Sequence, residues 1–492
     1  MLVNKEQQVK NGFIYLLPVI SSILPFIAIP IFTRILSKED YGVLALAQVY
    51  AIFISGLANF GMTAAYDRNF FQYRHNRQET AQLLYSALLF VVLNFSLLAG
   101  LTFIFNETMS RLVIGSTEHV KLLFWACCAQ FFSSISYYYL TYFKNSEMAH
   151  KFTFYTITSS LINLAISLIL VAYLRIGVIG LVYAQLCTGI IVFSILTYKF
   201  MATLTPSLNK TVFFESLKIS YPLTPRIFFG IISSQFDKYM VGHLASIGGA
   251  GIYSIGQRIA YSVFTFMTAI ENVFSPQVYK RMFDLRDKGG ESIGRYLTPF
   301  AYISIFAALL VALISEEVVF ILIPVSYHGA IDIIIILSMY YGFLFFGKII
   351  GIQLIFMRKT HITSILTMVS IGLNVGLNIP FILKWGAIGA AWATLLAGLI
   401  SGLISFVISQ HYYEIKWEYK KVGLIFSVFF VSAILIVYLR NLHVDYCYRI
   451  IFKTISVVYY VYIGIKMDII NIENILLVKN IFLRTKSKEM IS

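Results

Sequence analysis

Residues 82–105, QLLYSALLFVVLNFSLLAGLTFIF, hold no charged side chain in 24 consecutive positions. As an α-helix rising 1.5 Å per residue, the stretch is longer than the ~30 Å hydrocarbon core of a bilayer. Similar apolar blocks recur along the whole chain, separated by short polar stretches. Of the 492 residues 59% are apolar and 12% charged, and the mean hydropathy is +0.79. A soluble domain carries about 25% charged residues, so too few charges remain here to solvate a soluble surface. Disordered chains, collagen-like repeats and disulfide scaffolds are excluded by the same figures. The long blocks are the helical-span pattern, not the ten-residue alternation of a membrane barrel. The chain reads as an all-α integral membrane protein.

Fourteen transmembrane helices are expected, near 13–36, 41–65, 82–105, 120–143, 152–174, 178–198, 219–242, 250–275, 296–315, 330–357, 362–383, 387–410, 422–439 and 448–465. The segment 316–329, which opens on Glu316 and Glu317, is either a loop or an extension of the ninth helix. Pro18, Pro25 and Pro30 fall in the first span, where each removes a backbone hydrogen bond, so a bent or broken helix is expected. That span is too apolar over too great a length for a signal peptide, and no small-residue cleavage site follows it.

The 38 Lys and Arg against 23 Asp and Glu give a net charge of +15. No basic run with interleaved aromatics forms a nucleic-acid face. The excess instead orients the chain. The amino terminus, every second connection and the tail together hold 25 Lys and Arg, and the opposite connections hold nine. The positive-inside rule then puts both termini in the cytoplasm, which an even number of spans permits.

All outer-side connections are short, which argues against a polymerase or ligase with a large external loop. No cluster of His, Cys and carboxylate makes a metal site, or a nucleophile with its base. No enzymatic activity and no cofactor are expected. Cys127, Cys128, Cys187 and Cys447 read as small core hydrophobes. His243 and His361 read as helix-end residues, and Glu316-Glu317 as a solvated face at the membrane edge.

The chain repeats itself. Tyr41-Gly42-Val43-Leu44-Ala45-Leu46-Ala47-Gln48 aligns with Ala250-Gly251-Ile252-Tyr253-Ser254-Ile255-Gly256-Gln257, and Gly177-Val178-Ile179-Gly180 aligns with Gly386-Ala387-Ile388-Gly389. Both matches have an offset of 209 residues. Thr156, Ser159 and Asn163 pair with Thr367, Ser370 and Asn374 at 211, which a two-residue gap reconciles. The expected organisation is a six-helix half over 1–200 and a second over 201–411. Residues 412–492 add two helices and a basic cytoplasmic tail. Six helices per repeat give both halves one orientation, so their pseudo-twofold axis runs along the membrane normal.

Polar side chains mark the faces that avoid lipid. In the eighth span Ser254, Arg258, Tyr261, Thr265, Thr268, Asn272 and Ser275 recur at steps of four and three, a single helix face. The seventh span carries Arg226, Gly230, Ser233 and Asp237. Shorter stripes run through Gln48, Ser55 and Asn59; Gln130, Ser134, Tyr137 and Thr141; and Thr363, Thr367, Ser370, Asn374 and Asn378. Hydrogen bonding between packed helices accounts for many of these. It is less adequate for Arg226, Asp237, Lys238, Arg258 and Glu271, because a charge at the bilayer centre costs at least ~2.5–3.5 kcal/mol. Arg226 or Arg258 paired with Asp237 or Glu271 is one solution. With Lys348 of the tenth span, however, four cations face two carboxylates. A net positive cavity suits an anionic substrate.

At these residues the chain resembles the O-antigen (Wzx-type) polysaccharide flippases of the multidrug/oligosaccharidyl-lipid/polysaccharide exporter superfamily. One carrier is Thr33-Arg34-Ile35-Leu36-Ser37-Lys38-Glu39-Asp40-Tyr41-Gly42, similar to that family's turn between its first two helices. The other is Phe236-Asp237-Lys238-Tyr239-Met240-Val241-Gly242 with Gly251-Ile252-Tyr253. Lys238 stands where Arg is more familiar, which weakens a bidentate phosphate contact at that position. The resemblance implies a multi-pass protein of the bacterial inner membrane. It would move an undecaprenyl-diphosphate-linked oligosaccharide, for O-antigen of lipopolysaccharide or for capsule, by alternating access. Membrane lipids, a proton or sodium gradient and other polysaccharide-assembly proteins are the implied partners. The candidate substrate-binding residues are Arg226, Arg258, Lys348, Lys238, Arg34, Tyr261 and Asn272. A drug or metabolite exporter of the same superfamily is the alternative.

No Walker-type Gly-Lys-Ser/Thr loop is present to hold a nucleotide. An ion gradient read by an acidic group within the membrane is therefore expected. Glu271, in apolar surroundings, is the expected proton carrier, and Asp237, on the face of Arg226, its ionised structural neighbour.

Overall fold

The computed structural model describes residues 18–73, 75–204, 206–286 and 289–469, without the side chains of residues 18–26, 203, 222–223, 225–227, 232–233 and 360. Among the described residues every regular element is helical. Each expected span matches a helix to within a residue, apart from residues 13–17 of the first, which lie outside the described residues, and from the second, 41–65, which crosses a break at Phe60 and Gly61, both at positive φ, into the short helix Met62–Tyr73.

The first two spans are Pro18–Ile35 and Lys38–Asn59. The next four are Arg77–Ile104, Val120–Asn145, Ala149–Ser167 continued by a π-helical turn over Leu168–Tyr173, and Ile179–Thr203. Then come Lys210–Leu244, Ile247–Leu285, Gly289–Leu322 and Ala330–Phe356. Thr360–Tyr412 contains two spans, and Tyr419–Asn441 and Tyr446–Lys466 complete the set. Short helices at Met62–Tyr73 and Asn106–Ile114 lie between spans.

Among the described residues nine of these helices are long and apolar enough on their own to cross a membrane. Pro18–Ile35, Val120–Asn145, Lys210–Leu244 and Ile247–Leu285 are not among the nine, and the last three carry polar stripes. The chain is a multi-pass membrane protein.

Local chemistry explains the boundaries. Ser37 caps the second span by accepting from the Asp40 amide, and the Asp40 carboxylate accepts from the Ser37 amide at 2.9 Å, a reciprocal capping box. Asn76, Asn209 and Asp445 cap three further helices through their side-chain oxygens. The first span is not broken at its prolines and runs continuously through Pro25 and Pro30. The eleventh and twelfth spans are separated by a single residue, Gly386, at φ 59° and ψ −136°, which a residue with a Cβ rarely adopts. The ninth helix continues through Glu316 and Glu317 to Leu322, so the segment after residue 315 begins as a helical extension.

The chain forms two compact units. The first comprises Met1–Ile255, Val319–Ala330 and Ile371–Ala393; the second comprises Gly256–Val318, Ile331–Ser370 and Thr394–Ser492. In the first, Tyr66, Tyr138, Tyr139 and Phe143 pack with Leu196 and Phe200 in a buried core. Ser55 and Ser134, each in an expected polar stripe, join the second and fourth spans at 2.7 Å. In the second unit, Tyr302 and Tyr460 each donate a hydroxyl to the other's backbone carbonyl, at 3.2 and 2.9 Å.

Candidate functional site

In the second unit the part of the helix Ile247–Leu285 after Ile255 buries Ala260, Val263, Met267, Phe274 and Val278, while Arg258, Tyr261, Thr265, Thr268 and Asn272 stay half-buried or exposed. Beyond the buried Ser254 the polar stripe thus lies on a less covered face of that helix, beside the exposed Phe266 and Val273. Tyr261 packs beside Phe264, with ring centres 5.0 Å apart, and edge-on to Tyr341 at 5.7 Å. Lys348, from Ala330–Phe356, reaches this helix beside the stripe, at Glu271 and Phe264. Its ammonium lies 2.7 Å from the Glu271 carboxylate and 4.8 Å from the centre of the Phe264 ring. Both partners of this pair are about a quarter exposed.

Glu271 is therefore paired with Lys348. Among the described residues Arg258 enters none of the ion pairs of this unit, which involve Lys348, Arg295, Lys421, Arg440, Arg449 and Lys453. The side chain of Arg226 lies outside the described residues.

In the first unit Asp237 is 3% exposed. Tyr253 donates its hydroxyl to one carboxylate oxygen at 2.9 Å, and Asn378 donates its amide to the other at 2.7 Å. Asn378 also donates to Asn374 at 3.1 Å. Stripes read separately in spans seven and eleven thus converge on one carboxylate. Lys238 is half-buried and donates to Gln235 at 3.0 Å. Arg34 is exposed at the end of the first helix, where a cation suits the helix dipole.

A second charge cluster was not legible as such. Glu316 is 1% exposed and Lys453 6%, which overturns the expectation of a solvated acidic face. Lys453 bridges Glu316 and Glu317, at 2.7 Å to each, and Arg449 also pairs with Glu316. Tyr446 donates to Glu317 at 3.0 Å. Nearby in sequence, Arg440 forks onto the buried Asp332, with its Nε at 2.8 Å. The available signal was the i, i+4 spacing of Arg449 and Lys453, which puts both cations on one helix face.

The comparisons with known proteins agree with this architecture. No curated protein matches the chain by sequence. The lipid II flippase MurJ, in an inward closed conformation, superposes with a TM-score of 0.69 at 18% identity, over 95% of this chain and 100% of that one. A multidrug resistance MATE transporter of the MOP superfamily, inward-facing, gives 0.64 at 15% identity, over 81% of this chain and 97% of that one. The Vibrio cholerae MATE transporter VcmN in its bent form gives 0.55 at 13% identity, over 83% and 98%. At these identities the likeness shows the fold, that of the MOP-superfamily transporters. The sequence signature described as "polysaccharide biosynthesis protein" matches residues 9–277, more than half of the chain. The chain belongs to the polysaccharide biosynthesis protein family and has the all-helical fold of that transporter superfamily.

Proposed function

We propose that the protein is a flippase that moves an undecaprenyl-diphosphate-linked oligosaccharide, an O-antigen or capsule repeat unit, across a bacterial cytoplasmic membrane by alternating access. The observation that carries this reading is the less covered face of Ile247–Leu285. There a guanidinium, Arg258, stands with no described carboxylate beside it, one turn from the exposed Tyr261. A diphosphate supplies the missing counter-charge, and a tyrosine face suits a sugar ring. The Lys348–Glu271 pair, further along the same helix, gives a second cation that an anionic substrate competes for. Arg226, Lys238, Arg34 and Asn272 complete the proposed binding set, and repeats over 1–200 and 201–411 supply the two moving halves. Both termini are then cytoplasmic.

Coupling to a proton or sodium gradient is assigned to Glu271 and Asp237. Their surroundings differ, since Glu271 faces an ammonium while two of the groups holding Asp237 are the neutral Tyr253 and Asn378.

The alternative, an ion-coupled drug or metabolite exporter, is favoured by one observation. Lys348 is already neutralised by Glu271, which lowers the cationic surplus of the spans. Reconstituted vesicles loaded with a fluorescent undecaprenyl-diphosphate-linked oligosaccharide separate the two. Protein-dependent movement of the label between leaflets supports the flippase. Transport of small organic cations with a static lipid label supports the exporter.

A further inference from the structure

Helices Lys38–Asn59 and Lys210–Leu244 pack together, with the Phe53 and Phe228 ring centres 4.9 Å apart and glycines at two further contacts. A methyl added at Gly242 would lie 3.0 Å from the Leu46 side chain, and one added at Gly56 only 2.3 Å from that of Ile231. Glycines thus let the helices approach at both points. Side chains of both helices along the stretch between the glycines line a cavity of about 530 Å³, whose other walls come from Arg77–Ile104 and the short helix Asn106–Ile114. Eleven of its fifteen lining side chains, among them Phe53, Ile54, Leu98 and Met109, carry no nitrogen or oxygen.

The four polar lining residues use their hydrogen bonds inside the protein. Thr102 donates to the Leu98 carbonyl at 2.8 Å, which leaves Tyr50 as the donor in its 2.7 Å contact with Thr102. Tyr239 donates to the Leu112 carbonyl at 3.2 Å, and Gln235 accepts from Lys238 at 3.0 Å. Water entering this space finds few partners, and apolar cavities of such chemistry stay dry. In a membrane protein the available filler is hydrocarbon. If each chain carbon takes about the ~30 Å³ of a water molecule in the liquid, the space holds on the order of 18 carbons. That is one acyl chain, and too little for a long polyprenyl chain.

We propose that this cavity binds one acyl chain of a membrane phospholipid, held as a resident ligand between the second and seventh spans. The site is separate from the transport substrate and does not depend on its identity. The chain fills the cavity along the stretch between the two glycine contacts and so sets the spacing of these helices.

The test places an indole in the cavity wall with Phe53→Trp and, as a control, on the exposed Leu93 of Arg77–Ile104 with Leu93→Trp. The emission of the unsubstituted protein is subtracted from each. Full-length protein is reconstituted in phosphatidylethanolamine–phosphatidylglycerol with brominated acyl chains, then transferred by brief detergent mixing into unbrominated lipid. Quenching that survives transfer at position 53 and is lost at position 93 supports a resident chain. Equal loss at both positions overturns the proposal. Adding Met109→Trp to fill the space should abolish the surviving component. If Phe53→Trp fails to fold, mass spectrometry of the unsubstituted protein under non-denaturing conditions decides, with one retained phospholipid supporting the site and none overturning it. Displacement of the surviving quencher by undecaprenyl phosphate would assign the cavity to a polyprenyl chain and also overturns the proposal.

Discussion

Gly42 and Gly251 meet backbone to backbone. A methyl on Gly42 would lie 1.9 Å from the Ile247 carbonyl oxygen, and one on Gly251 would lie 2.0 Å from the Lys38 carbonyl oxygen and 2.8 Å from the Gly42 amide. The contact is reciprocal: residue 42 meets 247 and residue 251 meets 38, and members of each equivalent pair stand 209 positions apart. Such reciprocity is the signature of a twofold contact, in which i touches j and j touches i.

Gly42→Ala and Gly251→Ala should each destabilise the fold by about 1–3 kcal/mol, because the added methyl meets backbone that cannot rotate away. Gly100→Ala and Gly351→Ala, at positions with open space, should leave stability unchanged. Thermal denaturation of the four purified variants checks this, and a wild-type midpoint for Gly251→Ala would contradict it.

Arg258→Ala should abolish surface glycan while membrane abundance stays normal, and Arg226→Ala should do the same. Arg258→Lys should rescue only in part, because an ammonium cannot make the planar two-point contact of a guanidinium with phosphate. Quantitative glycan staining beside immunoblotting measures both. Normal glycan in Arg258→Ala would remove that residue from the binding set.

The Lys348–Glu271 pair separates folding from transport. Lys348→Glu alone places two carboxylates together and should lower abundance. Adding Glu271→Lys restores the pair with its polarity reversed, so abundance should recover while flipping of the labelled lipid does not. Full recovery of flipping would show that the pair serves the fold alone.

Glu271→Gln should stall gradient-driven transport in vesicles while the substrate still binds. Asp237→Asn, which alters a carboxylate held by Tyr253 and Asn378, should mainly reduce folding yield. Transport by Glu271→Gln at the wild-type rate under the same pH gradient would exclude it as the coupling residue.

Glu316→Leu leaves Lys453 and Arg449 with Glu317 alone and should cost about 3–5 kcal/mol, the scale for breaking a buried pair. Flipping per folded molecule should stay unchanged, since none of these groups is in the proposed binding set. A denaturation midpoint with a per-molecule transport assay reads both effects.

The helices were legible because a span announces itself by length and hydrocarbon content, as residues 82–105 do. Gly42 and Gly251 were legible as a repeat, although that they touch each other was not. Pairing was the part that periodicity could not settle. A stripe shows which face of one helix is polar but not which neighbour that face meets, so the partner of Glu271 proved to be Lys348 in a span with no stripe of its own. Glu316 was misread for a related reason. Its counter-charges are 133 and 137 residues away, and nothing local distinguishes a buried acidic pair from a solvated one. The hydrocarbon cavity left no sequence signal at all, because it is made by space between ordinary apolar residues.

The span between Glu316 and Lys453 also has a meaning in time. A ribosome adding about 5–20 residues per second needs on the order of ten seconds to make the intervening chain. Throughout that interval the two carboxylates of the ninth helix lack the cations they pair with in the folded chain. The helix Tyr446–Lys466, the least apolar of the nine that qualify as spans among the described residues, arrives with the opposite burden in Arg449 and Lys453. Each makes the other's entry into lipid less costly, so integration of Gly289–Leu322 is provisional until Lys453 has been made. A nascent chain stopped after Asn441 should be handed to quality-control proteolysis, although most of its helices have already been made.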